Sequence, residues 1–260
     1  MKLTILGCHS STPRPDCFNS AQILSLGNIG VLIDCGEGTQ MQLKKARIHL
    51  KDIDIVLISH LHGDHFYGLI GFLTSHDHNI RKKSISVYGP IGLNEIIQAH
   101  LRVTNKSLSY PLNIIELGQT ESIEIIKDAQ LSIKTVPLKH RIYTNGFLIE
   151  YTYKDLHILY AYCSDTAYDP KIIPIIKGAH WLYHEATFLD MHSSKAEQTN
   201  HSTAKQAALI ALRAGVKKLI IGHYSARYNN YENHLKEARE IFANTELSQD
   251  LKVFNLKEIL

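Results

Sequence analysis

Ser59-His60-Leu61-His62-Gly63-Asp64-His65 is the stretch on which the reading of this chain turns. It follows the apolar run IDIVLIS (53–59), which has the content of a buried strand, and precedes FYGLIGFLTS (66–75), which reads as a helix opening near Asp64. In an extended loop His60 and His62, two residues apart, point to the same side. Gly63 then lets the chain turn, so that Asp64 and His65 can face a second centre. A lone H-x-H arises by chance. H-x-H-x-D-H directly after a buried strand is a metal-ligand pattern, because imidazole and carboxylate are the donors zinc takes.

Further from this loop, three more donors share its setting. His140 follows the strand LSIKTV (131–136) by way of Pro137-Leu138-Lys139, Asp165 follows HILYAYC (157–163) and Ser164, and His223 follows KKLIIG (217–222) directly. Each lies just beyond the carboxyl end of an apolar strand, where loops on one rim of a sheet converge and carry chemistry. The chain has sixteen histidines, and most of the others lack such a context. His76 and His78 read as surface residues, and His9, in a Ser/Pro-rich loop after the first strand, could line a cleft but is not assigned to the site.

Composition excludes several classes. With 260 residues, 44% hydrophobic and 20% charged, the chain can bury a full core without disulfides or metal and is neither disordered nor collagen-like. A net charge of +3 neither announces nor excludes a nucleic-acid partner. Cys8, Cys17, Cys35 and Cys163 form no C-x-x-C pair, as expected of reduced thiols in a cytoplasmic protein. The start MKLTILG reads as a strand, and no apolar run approaches a membrane span. No repeat or linker interrupts the chain, which reads as one domain, 1–260.

Strand-like runs recur at 2–7, 21–26, 29–34, 53–59, 85–89, 112–117, 131–136, 147–151, 157–163, 180–184 and 217–222, with a hairpin turn at Gly27-Asn28. Helices are expected at Thr39–Arg47, Ile91–Val103, from Ser202-Thr203 to a stop at Gly215, and about Tyr231–Phe242. Strands dominate the first half and strand–helix alternation follows. That pattern predicts an α/β fold with sheet packed on sheet and helices outside.

These residues, in this order, resemble the metallo-β-lactamase superfamily and, within it, the ribonuclease Z family of tRNA 3′-processing endonucleases. The narrower resemblance rests on DCGEGTQ (34–40), SHLHGDHFYGL (59–69), SDT (164–166), HEATF (184–188), HSTA (201–204) and GHYSARY (222–228). It implies an αβ/βα sandwich, two mixed β-sheets with helices on both outer faces. It also implies two Zn2+ per chain, with manganese or iron as alternatives: His60, His62 and His140 on one ion, Asp64, His65 and His223 on the other, Asp165 bridging. Asp34 would orient the histidines of the metal loop, and His184 and Glu185 would support the site from behind. His201 matches the family's proton-donating histidine, while Ser225 and Arg227 match the stretch near the scissile phosphate. The partners implied are precursor tRNA and a second copy of the chain in a homodimer, with no membrane.

The chemistry is then metal-dependent phosphodiester hydrolysis, for which two such ions acidify a water toward neutral pH. Asp64 would hold a metal and orient the nucleophile, and His201 would protonate the poor 3′-oxygen leaving group. One departure bears on the substrate. Family members carry a protruding arm, which grips tRNA, between the equivalents of His140 and Asp165. Only 24 residues lie there in this chain, and they read as two strands joined at Thr152-Tyr153-Lys154-Asp155. The missing arm favours one alternative, a phosphodiesterase for small or cyclic nucleotide diesters; a further alternative, a non-catalytic RNA- or ligand-binding member of the fold, is opposed by the complete ligand set and His201. The remaining basic clusters are Lys44-Lys45, Arg81-Lys82-Lys83 and Lys217-Lys218.

Overall fold

Strand β1 (Lys2–Gly7) is buried at every position after Lys2, which marks it as an interior strand with both faces covered. It belongs to the first of two units into which the computed structural model divides, Met1–Gly118 with Asp250–Asn255; the second is Gln119–Gln249 with Leu256–Leu260. Residues 1–78 and 83–259 are described.

The first unit holds one seven-stranded sheet. Its strands are β1, β2 (Ala21–Leu26), β3 (Ile29–Ile33), β4 (Ile55–Leu57), β5 (Ile85–Pro90), β6 (Leu112–Leu117) and, from the far end of the chain, β14 (Val253–Asn255), in the order β14-β1-β2-β3-β4-β5-β6. β14 through β3 pair antiparallel and β3 through β6 parallel. The expected turn at Gly27-Asn28 closes β2 onto β3, with Leu26 opposite Ile29. Helices α1 (Thr39–Lys45), α2 (Gly63–Phe66), α3 (Leu69–His78) and α4 (Leu93–Val103) complete the unit, and Leu32, Val56, Phe72, Val87 and Ile97 share its core. In the parallel β3/β4 pair Ile33 faces Leu57. That register sets Asp34, just past β3, beside the loop that leaves β4.

The second unit has a sheet of the same size, ordered β13-β12-β11-β10-β9-β8-β7. Its strands are β7 (Glu124–Lys127), β8 (Leu131–Pro137), β9 (Asn145–Tyr153), β10 (Leu156–Cys163), β11 (Trp181–Glu185), β12 (Lys218–Gly222) and β13 (Thr245–Leu247). β10 to β13 run parallel, and β7 to β10 pair antiparallel. The carboxyl ends of β8, β10, β11 and β12 therefore share one rim, and His140, Asp165, Glu185 and His223 lie at it. The expected turn between two strands is there: Tyr153 pairs with Leu156, leaving only Lys154 and Asp155 between β9 and β10, with Lys154 in the left-handed region.

Helices α5 (Ser193–Thr199), α6 (Ala204–Ala214) and α7 (Glu232–Arg239) belong to this unit. In α6 the Thr203 side chain accepts from the Gln206 N–H while Gln206 reaches back, and Gly215 closes the helix at φ 63; such a cap contributes about 1 kcal/mol. Ala204, Ala207, Ala208, Ala211 and Ala214 are buried, and with no bulk beyond Cβ they seat α6 close against β11 and β12. Two mixed sheets with helices are the α/β class that the sequence predicts.

Sequence and structure part at the edges. β7, β13 and β14 were not anticipated, because three or four residues carry too little alternation to register. α5, SSKAEQT, buries only Ala196 and shows no apolar stripe. The expectation for His76 and His78 side chains and the pair Arg81-Lys82 lie outside the described residues; Lys83 is described and pairs with Asp54.

Candidate metal centre and proton donor

In the first unit the loop after β4 brings four expected donors together. His60 Nε2 and His62 Nδ1 lie 3.0 Å apart, roughly the spacing of two nitrogens on one tetrahedral ion. Asp64 and His65 follow on α2, with His65 Nε2 3.7 Å from Asp64 Oδ2. His60 and His65 are fully buried.

The backbone around this loop is crowded. Cys35 N–H donates to the His65 carbonyl and Gly68 N–H to the Cys35 carbonyl, both at 2.8 Å. A Cβ at Gly36 would sit 2.5 Å from the Asp64 carbonyl oxygen, and one at Gly68 2.2 Å from that of Gly36. The DCGEGTQ stretch thus needs glycine at 36 so that the Asp34 segment can lie against the metal loop. Asp34 itself takes φ 57, uncommon for a non-glycine residue and of a kind that gathers at functional sites.

Asp34 fixes the rings. Its Oδ2 accepts from His65 Nδ1 at 2.7 Å and from the Ser59 hydroxyl at 2.9 Å, and its Oδ1 from the Ser59 N–H at 2.8 Å. Because Ser59 gives its proton to Asp34, its oxygen can only accept from His60 Nδ1, 2.9 Å away. Both rings therefore carry the proton on Nδ1 and present an Nε2 lone pair, the arrangement that sets a metal-binding tautomer.

The second unit repeats the device. Thr187 donates its hydroxyl to Glu185 Oε2 at 2.5 Å and accepts from His223 Nδ1 at 2.9 Å, while Glu185 Oε1 accepts directly from His201 Nδ1 at 2.8 Å. His140 Nδ1 donates to the Asn200 carbonyl at 2.9 Å. The Nε2 atoms of His140 and His223 then face Asp165, at 3.8 Å from Oδ2 and 3.1 Å from Oδ1. A carboxylate with a different imidazole at each oxygen has the form of a bridge between two centres. His223, like Asp34, holds a positive φ, 60.

Burial pushes the His140 imidazole below its ordinary value against the raising effect of Asp165, which favours the neutral ring a metal needs. Burial alone would raise the Glu185 carboxyl, but the charge and hydrogen bond of His201 hold it down. Glu185 also accepts from the N–H groups of Thr166, Thr187 and Ser202. Five donors fill its lone pairs, so it organises the neighbouring rings.

The other expected residues divide. The His201 ring lies 5.4 Å from that of His223 and 5.1 Å from that of His140, where a proton donor would be placed. Ser225 N–H donates to the Thr187 carbonyl, Arg227 Nε donates to Ser225 Oγ at 3.2 Å, and the Arg227 guanidinium lies over the Phe188 ring. His184 joins none of them. Strand alternation turns it to the face opposite Glu185; its Nδ1 meets the Glu185 carbonyl, and its Nε2 is buried with no hydrogen-bond partner among the described residues. Ser59, Thr187 and the Asn200 carbonyl are the functional groups that sequence reading passed over. Thr187 had a signal, since it stands two residues from Glu185.

The donors fit a divalent metal of the zinc class. They are imidazole and carboxylate, and four of the rings have one nitrogen tied back and the other presented.

A family model described as anti-Pycsar protein Apyc1 matches residues 1–246. The ribonuclease Z of Parabacteroides distasonis is 36% identical over 293 aligned positions, covering 95% of this chain and 96% of that protein. That of Cytophaga hutchinsonii is 38% identical over 302 positions, covering 99% and 96%. Those alignments exceed the 260 residues of this chain by 33 and 42 positions, so each relative carries at least that many residues without counterpart here. The crystal structure of the short form of human tRNase Z superposes with a TM-score of 0.86 at 29% identity, covering 98% of this chain and 99% of that one. A metallo-β-lactamase fold protein of Bacillus subtilis, at 20% identity and a TM-score of 0.80 with 97% and 98% covered, shares the fold.

Proposed function

The chain belongs to the ribonuclease Z family, two relatives in which are 36% and 38% identical over nearly its whole length, and it also matches, over residues 1–246, the family described as anti-Pycsar protein Apyc1; from the first membership we propose that it is a metal-dependent endoribonuclease removing the 3′ trailer of precursor tRNA. The observation that carries the reading is the Glu185–His201 pair at 2.8 Å, beside the His140 and His223 donors. A hydrolase with a histidine held for proton donation is built for a poor leaving group, and a ribose 3′ oxygen is one.

In this reading His60, His62 and His140 would hold one Zn2+ and Asp64, His65 and His223 the other, Asp165 would serve both, and Mn2+ or Fe2+ could substitute. Bound ions of this class supply Lewis acidity toward phosphoryl oxygens and an acidified water. The chain supplies the rest. Asp34 and Ser59 fix the tautomers of His65 and His60, and Thr187 does the same for His223. Asp64 would accept the nucleophile's proton. Glu185 accepts a hydrogen bond from His201 Nδ1–H, so His201 Nε2 is the atom that carries a proton to the departing 3′ oxygen. Ser225 and Arg227 bind near the scissile phosphate. The resemblance to ribonuclease Z implies a cytoplasmic enzyme that acts as a homodimer. Among the described residues no helix is long and apolar enough to cross a membrane.

A second reading, a phosphodiesterase for small or cyclic nucleotide diesters, is favoured by one observation. The two-residue turn between β9 and β10 leaves no room for an arm, and the relatives carry residues this chain lacks. Both are tested together by cleavage of precursor tRNA with a small chromogenic phosphodiester in parallel. Trailer release supports the first reading. Brisk diester hydrolysis without any tRNA cleavage supports the second.

A further inference from the structure

The loop after β1 carries Cys8 and His9, and the segment before β14 carries Asp250. Within the first unit these three meet. Cys8 Sγ lies 3.5 Å from Asp250 Oδ1 and His9 Nε2 lies 4.0 Å from Oδ2. One donor atom from each residue falls within 4.8 Å of the other two. Ligands on a tetrahedral zinc ion are roughly 3–4 Å apart, so small side-chain rotations bring all three onto one ion.

Cys8 is 1% exposed, whereas the His9 and Asp250 side chains are 12% and 15% exposed. The cluster is thus closed at the sulfur and open at one edge, where an ion and a water can enter. Asp250 Oδ2 also accepts from the Phe18 N–H at 3.0 Å, and His9 N–H donates to the Phe18 carbonyl. The carboxylate is therefore already held in place by the backbone. A thiol is a weak hydrogen-bond donor; a latch on Asp250 alone would be better made with serine. What the thiol and imidazole add is affinity for a borderline-soft cation.

We propose that Cys8, His9 and Asp250 form a metal site separate from the hydrolytic donors, taking one divalent ion of the zinc class with water as its fourth ligand. Loading forms a metal–sulfur bond and breaks the Cys8 S–H bond, and the proton leaves to solvent. The ion closes the neck of the 8–18 loop and ties it to the Asp250–Lys252 segment, which already hydrogen-bonds to both polar backbone groups of Ile5. The loop runs on to Asn19, whose side chain lies against Gly36, so the clamp braces the segment that carries Asp34.

The test is cobalt substitution of the whole protein, read by absorption. Thiolate-bound Co2+ gives a near-ultraviolet sulfur-to-metal charge-transfer band, and a centre of imidazoles and carboxylates gives none. The hydrolytic donors contain no sulfur, so the band reports this site whether or not the hydrolytic reading holds. The expected result is a band saturating at one thiolate-bound ion per chain. It should be lost in Cys8→Ser, weakened about tenfold or more in His9→Ala, and unchanged in Cys17→Ser. Should Cys8→Ser fold poorly, protection of Cys8 from alkylation by added Zn2+, followed by peptide mass spectrometry, is compared between wild type and Asp250→Asn. Protection in the wild type alone supports the site. No band in wild-type protein at saturating Co2+, a band that survives in folded Cys8→Ser, or alkylation of Cys8 indifferent to Zn2+ overturns the proposal.

Discussion

His201 Nδ1 lies 2.8 Å from Glu185 Oε1, and that carboxylate is fully buried. The bond leaves Nε2 as the ring's exchangeable position. His201→Ala should therefore slow cleavage where the leaving group is a ribose alkoxide by roughly 10²–10⁴-fold. A nitrophenolate departs without a proton, so a chromogenic diester should lose much less. Parallel kcat/KM values on the two substrates check this, and equal losses would leave His201 with a binding or structural role.

Ser59 and Thr187 make the same contribution in different units. Each hydroxyl gives its proton to a buried carboxylate, Asp34 or Glu185, and accepts from a donor histidine, His60 or His223. Ser59→Ala and Thr187→Val should release one ring each and weaken metal binding about 10–100-fold. Competitive chelator titration measures the loss. Unchanged affinity in both variants would mean that the hydroxyls do not set the rings.

Metal content tests the division of ligands. In a Cys8→Ser background, which leaves only the hydrolytic donors, wild-type ligands should bind close to two ions per chain. His223→Ala should weaken one ion preferentially. Asp165→Ala should weaken both, because its two oxygens face different imidazoles. Elemental analysis showing no more than one ion in fully loaded Cys8→Ser protein would refute the two-ion reading.

Most of this site was legible in the sequence because ligand chemistry demands particular side chains just after strands. His60, Asp165 and His223 could be placed by strand ends alone, and the Asn-containing turn closing β2 onto β3 by its residues. The relays were not legible. Ser59 and Thr187 are ordinary hydroxyls in one dimension, and only parallel pairing of β3 with β4 puts Ser59 beside Asp34. Asn200 contributes a backbone carbonyl at the left-handed end of α5, and backbone donors have no residue-type signature. His184 shows the converse limit. Its place in HEATF suggested support for the site, but a strand turns neighbours to opposite faces.

His234 predicts a pH dependence of stability unconnected with the site. It is fully buried among the rings of Tyr224, Tyr228 and Tyr231, and neither ring nitrogen has a hydrogen-bond partner among the described residues. Burial pushes its pKa down from 6.5 to about 4. The unfolded chain takes up the proton below about 6.5 while the folded chain does not, so stability falls as pH drops from 6.5 toward 4 and is complete above that window. The loss is at most about 3 kcal/mol. His234→Phe should flatten this part of the profile, compared by denaturant unfolding at pH 5 and pH 7.5. An equally steep fall in the variant would assign the dependence to other groups.

The substrate should be visible in the salt dependence. Phosphate contacts supply most non-specific affinity for nucleic acid, and each counterion released steepens the dependence on salt. This chain has a net charge of only +3, and the ribonuclease Z of Parabacteroides distasonis carries at least 33 residues it lacks. Of the cluster Arg81-Lys82-Lys83, Lys83 is partly engaged by Asp54. Few contacts are therefore available, and precursor tRNA should bind weakly, with cleavage falling steeply between about 50 and 200 mM salt. Changing Arg81, Lys82 and Lys83 to alanine should lower tRNA cleavage and flatten its salt slope, while hydrolysis of a small diester changes little in either protein. Tight, salt-insensitive tRNA binding that ignores these substitutions would refute the account of how RNA is held. Absence of tRNA cleavage at every salt concentration, with rapid diester turnover, would instead assign the same site to small nucleotide substrates.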